Sequence, residues 1–311
     1  MNAPCDGVMI IGFGGPTALE QVRPFLDRVL KGRPVPRQRY EQVVHHYEAL
    51  GGRSPYNELT MRQARSLRQS LAATGTEIPV AVGLRNTPPF FDDALSELRA
   101  LGARRVLGFV LSAFRCEASW DRYLAEVAEA RQRIGSDAPE IEYPRTWHLD
   151  PLFIEAATDR VNDALAMLDP SERDGAELIF TAHSIPLAMA SRSPYPAQLD
   201  ESARRTAETL GRSSFTIAYQ SRSGSPREPW LEPDVSDVLS GLGNRAAVVT
   251  PIGFLCDHVE VLYDLDIEAA QAARRAGVTM VRAATVGVHP RFIEMMGRIA
   301  RAHLDAATQQ D

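Results

Sequence analysis

Two stretches of the chain concentrate side chains able to move protons or hold a cation. In AELIFTAHSIP, residues 176–186, the apolar run Leu178-Ile179-Phe180 stops at a lone imidazole, His183, three residues before Pro186. A histidine beside an apolar run is commonly satisfied by a backbone carbonyl or faces solvent. At the carboxyl end of a buried strand it also stands where open α/β sheets bind ligands, and there a neutral imidazole is a base or a metal ligand. The second stretch is PIGFLCDHVEVLYDLDIE, residues 251–268. Asp257, Glu260, Asp264 and Glu268 recur at steps of three, four and four, with no Lys or Arg from 257 to 273. On one helix face such like charges cost roughly 0.2 to 0.5 kcal/mol per exposed pair, and the helix dipole favours only those in the first turn. Asp257 as N-cap with Glu260 at N3 makes a relative of the capping box. That explains these two acids and leaves Asp264 and Glu268 unexplained. A file of carboxylates beginning at a strand end, with His258 beside it, is a path for cations or protons.

Carboxylate and imidazole donors suit a loosely held divalent transition metal, whereas tight structural zinc wants cysteines or four complete ligands. The same groups accept protons and relay them. Inserting a metal into a tetrapyrrole uses both functions, because the macrocycle loses two N–H protons while the metal exchanges water for ring nitrogens. Three further motifs accompany them. Gly12-Phe13-Gly14-Gly15-Pro16 follows an apolar run but has Thr17 at the place of the third dinucleotide-fingerprint glycine and no P-loop Lys-Ser/Thr pair. It reads either as a tight turn with Pro16 opening a helix, or as a backbone left bare for a flat ligand with Phe13 stacked on it. HHYEALGGRSP, 45–55, is a helix end capped by Gly51-Gly52, solvated or supplying hydrogen bonds to ligand carboxylates from His45, His46, Tyr47, Arg53 and Ser54. AYQSRSGSPREPWLEPDV, 218–235, carries Pro226, Pro229 and Pro233. It reads as a rigid wall bearing Trp230 or as an ordinary surface crossover.

The elements that must position these residues follow from the alternation of short Val/Ile/Phe-rich runs with helical periods, the signature of βαβ units. Strands are predicted at 7–13, 79–84, 105–112, 140–143, 177–183, 215–220, 246–253 and 278–283. Helices are predicted at 18–31, 37–49, 58–74, 90–102, 118–134, 151–168, 198–210, 257–275 and 289–306. Asp150-Pro151 suits a helix start and marks the joint. The expected fold is α/β, with two doubly wound Rossmann-like domains, 1–150 and 151–311, each around a parallel sheet and forming an interdomain cleft. The last helix, 289–306, is expected to pack back on the first domain. At 311 residues, 44% hydrophobic and 24% charged, the chain has the composition of a globular protein. A net charge of −6 argues against a broad nucleic-acid surface. Three dispersed cysteines and no long apolar run suit a cytoplasmic chain without a transmembrane segment or disulfide framework.

Together TAHSIP, HYEALGGRSP, the YQSRSG and PWLEPDV run and PIGFLCDHVEVLYDLDIE resemble the ferrochelatase family, in order, from GFGGP to ATVGVHPRF at 284–292. The likeness is nearest to the bacterial branch that metallates coproporphyrin III, particularly its actinobacterial-type members. The resemblance implies a lyase of haem biosynthesis that inserts Fe2+ into a porphyrin in the cleft, with iron as substrate and no permanently bound cofactor. It implies His183 and Glu260 as the metal-contacting and proton-handling pair, Asp264 as the continuing acidic path and His258 as support. Tyr47, Ser54 and Tyr123 match porphyrin-contacting positions of the coproporphyrin branch, and Lys31 and His46 stand where some members have arginines. Phe13 replaces a tyrosine that in many relatives can coordinate product iron. Its implied role is a ring on the macrocycle, and axial ligation does not carry over. Some relatives hold a 2Fe-2S cluster on four cysteines, which is not expected here. A monomer is expected, with transient contact with the next haem-pathway enzyme. The alternatives are a protoporphyrin IX ferrochelatase, a sirohydrochlorin-type cobalt or iron chelatase with a cleft richer in Arg and Lys, and a porphyrin or haem carrier that has no need of the acidic ladder.

Overall fold

The eight apolar runs form eight strands: β1 (Gly7–Gly12), β2 (Val80–Leu84), β3 (Arg105–Val110), β4 (Glu140–Glu142), β5 (Glu177–His183), β6 (Thr216–Gln220), β7 (Ala246–Thr250) and β8 (Thr279–Arg282). The structure is a computed structural model and describes residues 4–32, 35–223 and 228–304. Two four-stranded sheets result, in the orders β2-β1-β3-β4 and β6-β5-β7-β8, with every pairing parallel. Strands of such sheets are covered on both faces and read as continuous apolar runs. Accordingly β1, β2 and β7 are buried at every residue. Met9, Ile11, Val106 and Val110 pack with Phe91, Leu95 and Leu98 in the first core, and Ile179, Val249, Val261 and Leu265 meet in the second. Truncating a fully buried ring such as Phe180 is worth about 3 to 5 kcal/mol.

The described residues divide into two compact units: those of 112–119 and 147–287 form one, and the remaining described residues, including Val288–Leu304, form the other. A single boundary at 150 therefore omits two exchanges of chain. The first comes from the strand-end loop after β3, too short to show a period of its own. The second is the last helix, Pro290–Leu304, which packs on the helix Tyr56–Ala72 of the first unit. Its Gly297 lets the helices approach, since a Cβ there would lie 3.1 Å from Ser70 Oγ. The expected end of that helix, 305–306, lies outside the described residues.

Asp150 caps the helix Pro151–Ala166, accepting from Leu152 N at 3.1 Å, as the joint motif suggested. Three short helices, Pro170–Arg173, Leu187–Ala190 and Val235–Gly241, escape a periodicity reading because four to seven residues hold barely one or two turns. The predicted helix 257–275 is broken into Val259–Leu262, a π-helical stretch Asp264–Ala269, and Ala270–Ala276. No helix among the described residues is long and apolar enough to cross a membrane.

Candidate active site

In the second sheet the strand order reverses between β5 and β7, and ligands of doubly wound sheets bind outside the strand ends at such a point. His183 is the last residue of β5. After β7 the chain folds back onto β5: Gly253 N donates to Thr181 O at 3.0 Å. This requires glycine, because a Cβ on Gly253 would stand 2.5 Å from Ala182 Cβ. The loop so placed delivers Glu260, whose Oε1 lies 3.8 Å from His183 Nε2, and His258, whose Nε2 lies 3.4 Å from Glu260 Oε2. The tilted ring of Phe254 lies 4.9 Å from the His258 ring.

The imidazole of His183 is directional. Its Nδ1 contacts the carbonyl oxygen of Ser184. A carbonyl only accepts, so Nδ1 carries a proton, and in the neutral ring Nε2 is the nitrogen that keeps a lone pair, on the side of Glu260. The His183 carbonyl in turn accepts from the buried Tyr195 hydroxyl at 2.9 Å. Burial, then the neighbouring Cys116, Tyr219 and Glu260, push the Tyr195 phenol well above its ordinary value, which keeps it a donor. Ser184 is held by Gln220 O, which accepts from its N at 2.8 Å, and by Leu231 O, which accepts from its Oγ at 2.8 Å.

A separation of 3.8 Å is too long for a hydrogen bond. It is close to the spacing of two donors on one ion, about 3.4 Å for tetrahedral bonds of about 2.1 Å. Among the described residues no group of three or more His, Cys, Asp or Glu side chains is arranged to hold a metal ion. Two facing donors suit an ion that arrives, is passed on and leaves, and the free lone pair and carboxylate can each take a proton.

The acidic ladder is partly dissolved by the structure. Asp257 does not cap the helix: the N-cap is His258, in extended backbone, and Asp257 accepts from Thr285 Oγ1 at 3.0 Å and from Arg282 at 3.3 and 3.4 Å. Arg282 also binds Asp266. The cation that balances these acids thus comes from β8, distant in sequence. Glu260 sits one residue earlier in the helix than a capping box requires and faces the two histidines. The π turn adds a residue per turn, with Glu268 N donating to Tyr263 O at 3.0 Å, so Asp264 is buried while Glu268 turns to solvent. Asp264 accepts from Ser221 Oγ. Ser221 has a left-handed backbone, φ 64°, and the preceding Gln220, 1% exposed, donates from Nε2 to Glu260 O at 2.6 Å. Adjacent residues at the end of β6 therefore grip both acids. Sequence reading missed Tyr195, Gln220, Ser221 and Arg282, because their value lies in partners far along the chain.

Trp230 is not an exposed wall. Its ring is buried, it forms an antiparallel bridge with Pro186, and Leu231 N donates to Ile185 O at 2.9 Å, so this segment clamps the loop after His183. Pro226 lies outside the described residues.

The remaining predicted residues belong to the first unit, at and around the end of β1. Phe13 N accepts no place in the sheet but donates to Tyr56 Oη at 2.9 Å, and its half-buried ring meets Phe25 edge-on at 6.0 Å. Tyr47 meets the other side of this trio, 6.0 Å from Phe25, and is buried in the core. Ser54 is buried against Gly15, where a Cβ would lie 2.7 Å from Ser54 Cβ, and its Oγ accepts from Tyr56 N at 3.3 Å. His46 is half-buried, and burial, then Arg39 and His45, lower its pKa to about 4, so it is neutral near pH 7. It can hydrogen-bond a carboxylate but brings no charge. Lys31 pairs with Glu126, its Nζ 2.5 Å from Oε1, and Glu126 is also held by Arg85, whose guanidinium lies 5.8 Å from the Tyr123 ring centre. Cys5, Cys116 and Cys256 are buried thiols, and none of them is in a disulfide.

A family model described as Ferrochelatase matches residues 5–304. The chain is 40% identical over 305 residues to the ferrochelatase of Rhodopirellula baltica, covering 97% of this chain and 87% of that protein. It is 42% identical over 297 residues to the coproporphyrin III ferrochelatase of Mycolicibacterium smegmatis, covering 94% and 87%. Among solved structures, the sirohydrochlorin chelatase SirB of Bacillus subtilis subspecies spizizenii in complex with cobalt is similar, with a TM-score of 0.56 at 13% identity and 98% and 97% of the two chains covered. At that identity the likeness is one of fold.

Proposed function

This chain belongs to the ferrochelatase family and is an enzyme that inserts a metal into a porphyrin, and we propose that its metal is Fe2+ and its porphyrin coproporphyrin III. The balance is Fe2+ plus coproporphyrin giving iron coproporphyrin and two protons. The observation that carries the reading is the facing pair, His183 Nε2 and Glu260 Oε1, with the imidazole tautomer fixed by the Ser184 carbonyl. In this reading the lone pair and the carboxylate receive the incoming ion from water and take one pyrrole proton each as ring nitrogens replace them. His258 orients the second oxygen of Glu260. Protons leave Glu260 along the face that carries Asp264 and Ser221. The reaction so written needs no resident cofactor or iron-sulfur cluster. Phe13 supplies a ring and no axial ligand. A reducing cytoplasmic setting suits the three buried thiols and an Fe2+ substrate.

The choice of coproporphyrin rests on the mycobacterial-type relatives that bear this substrate in their names at 42% identity. The test is anaerobic Fe2+ insertion followed by absorbance, with coproporphyrin III and protoporphyrin IX compared side by side. Higher kcat/KM for coproporphyrin is expected, and faster turnover of protoporphyrin overturns the substrate assignment. His183→Ala is expected to bind porphyrin, read by fluorescence quenching, without inserting iron. Normal insertion by that variant removes His183 from the mechanism.

A further inference from the structure

The ion pair of Lys31 lines a cavity of about 290 Å³ beside the carboxyl end of β2, together with Arg28, Arg85, Arg133 and Glu129 among others. Four cations around one cavity suit an anionic ligand, yet each is already engaged. Arg28 donates to Asn86 O at 2.7 Å, and Arg133 makes two bonds of 2.9 Å to Asp92. Arg85, with only 6% of its side chain exposed, holds both oxygens of Glu126 at 2.8 Å. Lys31 differs: half of its side chain is exposed, and it reaches a single oxygen of Glu126. A buried bidentate arginine–carboxylate pair resists separation, whereas an exposed single contact of a lysine is weak and exchangeable.

We propose that Glu126 is a built-in competitor for a carboxylate of the substrate: it occupies Lys31 in the empty enzyme, and yields it to the porphyrin while remaining on Arg85. The Glu126 carboxylate marks where a ligand carboxylate meets Lys31. Because Arg85 keeps both oxygens, surrendering Lys31 leaves no buried charge unpaired. Burial pushes the Glu126 carboxyl up, but hydrogen bonds from Arg85 and Lys31 reverse this and hold it below its ordinary value, so the competitor is charged at neutral pH. The device sets a threshold: a substrate edge must outcompete an internal carboxylate before it reaches Lys31. This inference rests on the reading of the substrate as a carboxylate-bearing porphyrin.

The test measures KM and kcat for coproporphyrin III with Fe2+ in the parent, Glu126→Gln, Glu126→Asp, Lys31→Met and the Lys31→Met/Glu126→Gln pair. Glu126→Gln is expected to lower KM about three- to fivefold with kcat unchanged. Glu126→Asp keeps the charge beside Arg85 but withdraws it from Lys31, and should lower KM in the same direction if the Gln variant folds poorly. Lys31→Met should raise KM, and in its background Glu126→Gln should do nothing. A KM that rises or stays fixed in both Glu126 variants overturns the proposal, as does an unchanged KM in Lys31→Met. Failure of the substrate reading appears separately, as a parent enzyme that does not metallate coproporphyrin.

Discussion

At the reversal point of the first sheet, β1 runs into Gly12-Phe13-Gly14-Gly15, and the groups gathered there are rings, amides and a charged triad held by Arg85. At the matching point of the second sheet, β5 ends in His183 and the loop after β7 brings His258 and Glu260. The strand orders are identical. One topology therefore supplies two rims with different side chains seated on them: rings meeting edge-on at the first, Phe13, Phe25 and Tyr47, and an imidazole facing a carboxylate at the second, His183 and Glu260. On the proposed reading the first grips the substrate and the second reacts. This division of labour predicts that substitutions at the first rim change KM and those at the second change kcat.

The largest expected effect that could break this division is at Glu260. Glu260→Gln keeps the shape and loses the base, and kcat should fall about 100-fold or more, the scale of general acid–base catalysis, with KM for porphyrin nearly unchanged. A change mainly in KM would assign Glu260 to binding. Next come the two glycines that admit close chain approach. Gly253→Ala would press a Cβ against Ala182, and Gly15→Ala against Ser54. Overpacking of this kind costs about 1 to 3 kcal/mol, and both variants should lose a few degrees of Tm. Their kinetics should part company, with Gly253→Ala losing kcat and Gly15→Ala raising KM. Equal kinetic profiles would dissolve the comparison. Smaller again is Gln220→Met, which keeps length and burial but removes the donor to Glu260 O. One hydrogen bond of about 1 kcal/mol corresponds to a roughly fivefold loss, seen in kcat and not in KM. A purely packing role would leave kcat alone and shift only the unfolding midpoint.

Much of the frame was legible in the chain because burial on both faces of a parallel strand writes itself as an apolar run, as in β1, β2 and β7, while the edge strands β4 and β8 are partly exposed. His183 was legible as a strand-end imidazole, whereas Glu260 read locally as the N3 acid of a helix cap and its pairing with His183 came from the family resemblance. What was not legible is instructive. Asp257 looked like a cap because its helix signal is local, whereas its partners, Arg282 and Thr285, come from β8 and the loop beyond. The ladder assumed 3.6 residues per turn, and a π turn at Asp264–Ala269 rotated Glu268 away. Lys31 looked like an available cation because Glu126 is 95 residues distant. Each failure is a tertiary partner overriding a local pattern, and each lies beside the reacting pair or the cavity.

A separate effect, read in stability and not in turnover, concerns charge at the first rim. His46 is half-buried with a pKa lowered to about 4, chiefly by burial and then by Arg39 and His45, against about 6.5 when unfolded. A depressed imidazole stabilises the fold fully above the unfolded value, because both states are then neutral. As pH falls from 6.5 toward 4, the unfolded chain takes up the proton first and that contribution is lost. Denaturant midpoints measured at pH 7.5 and pH 5 should therefore fall more in the parent than in His46→Gln, which cannot titrate. Equal losses would mean that His46 charges freely in the folded chain. A larger loss in the parent keeps His46 neutral near pH 7, so that at this position the first rim offers a hydrogen bond and no charge.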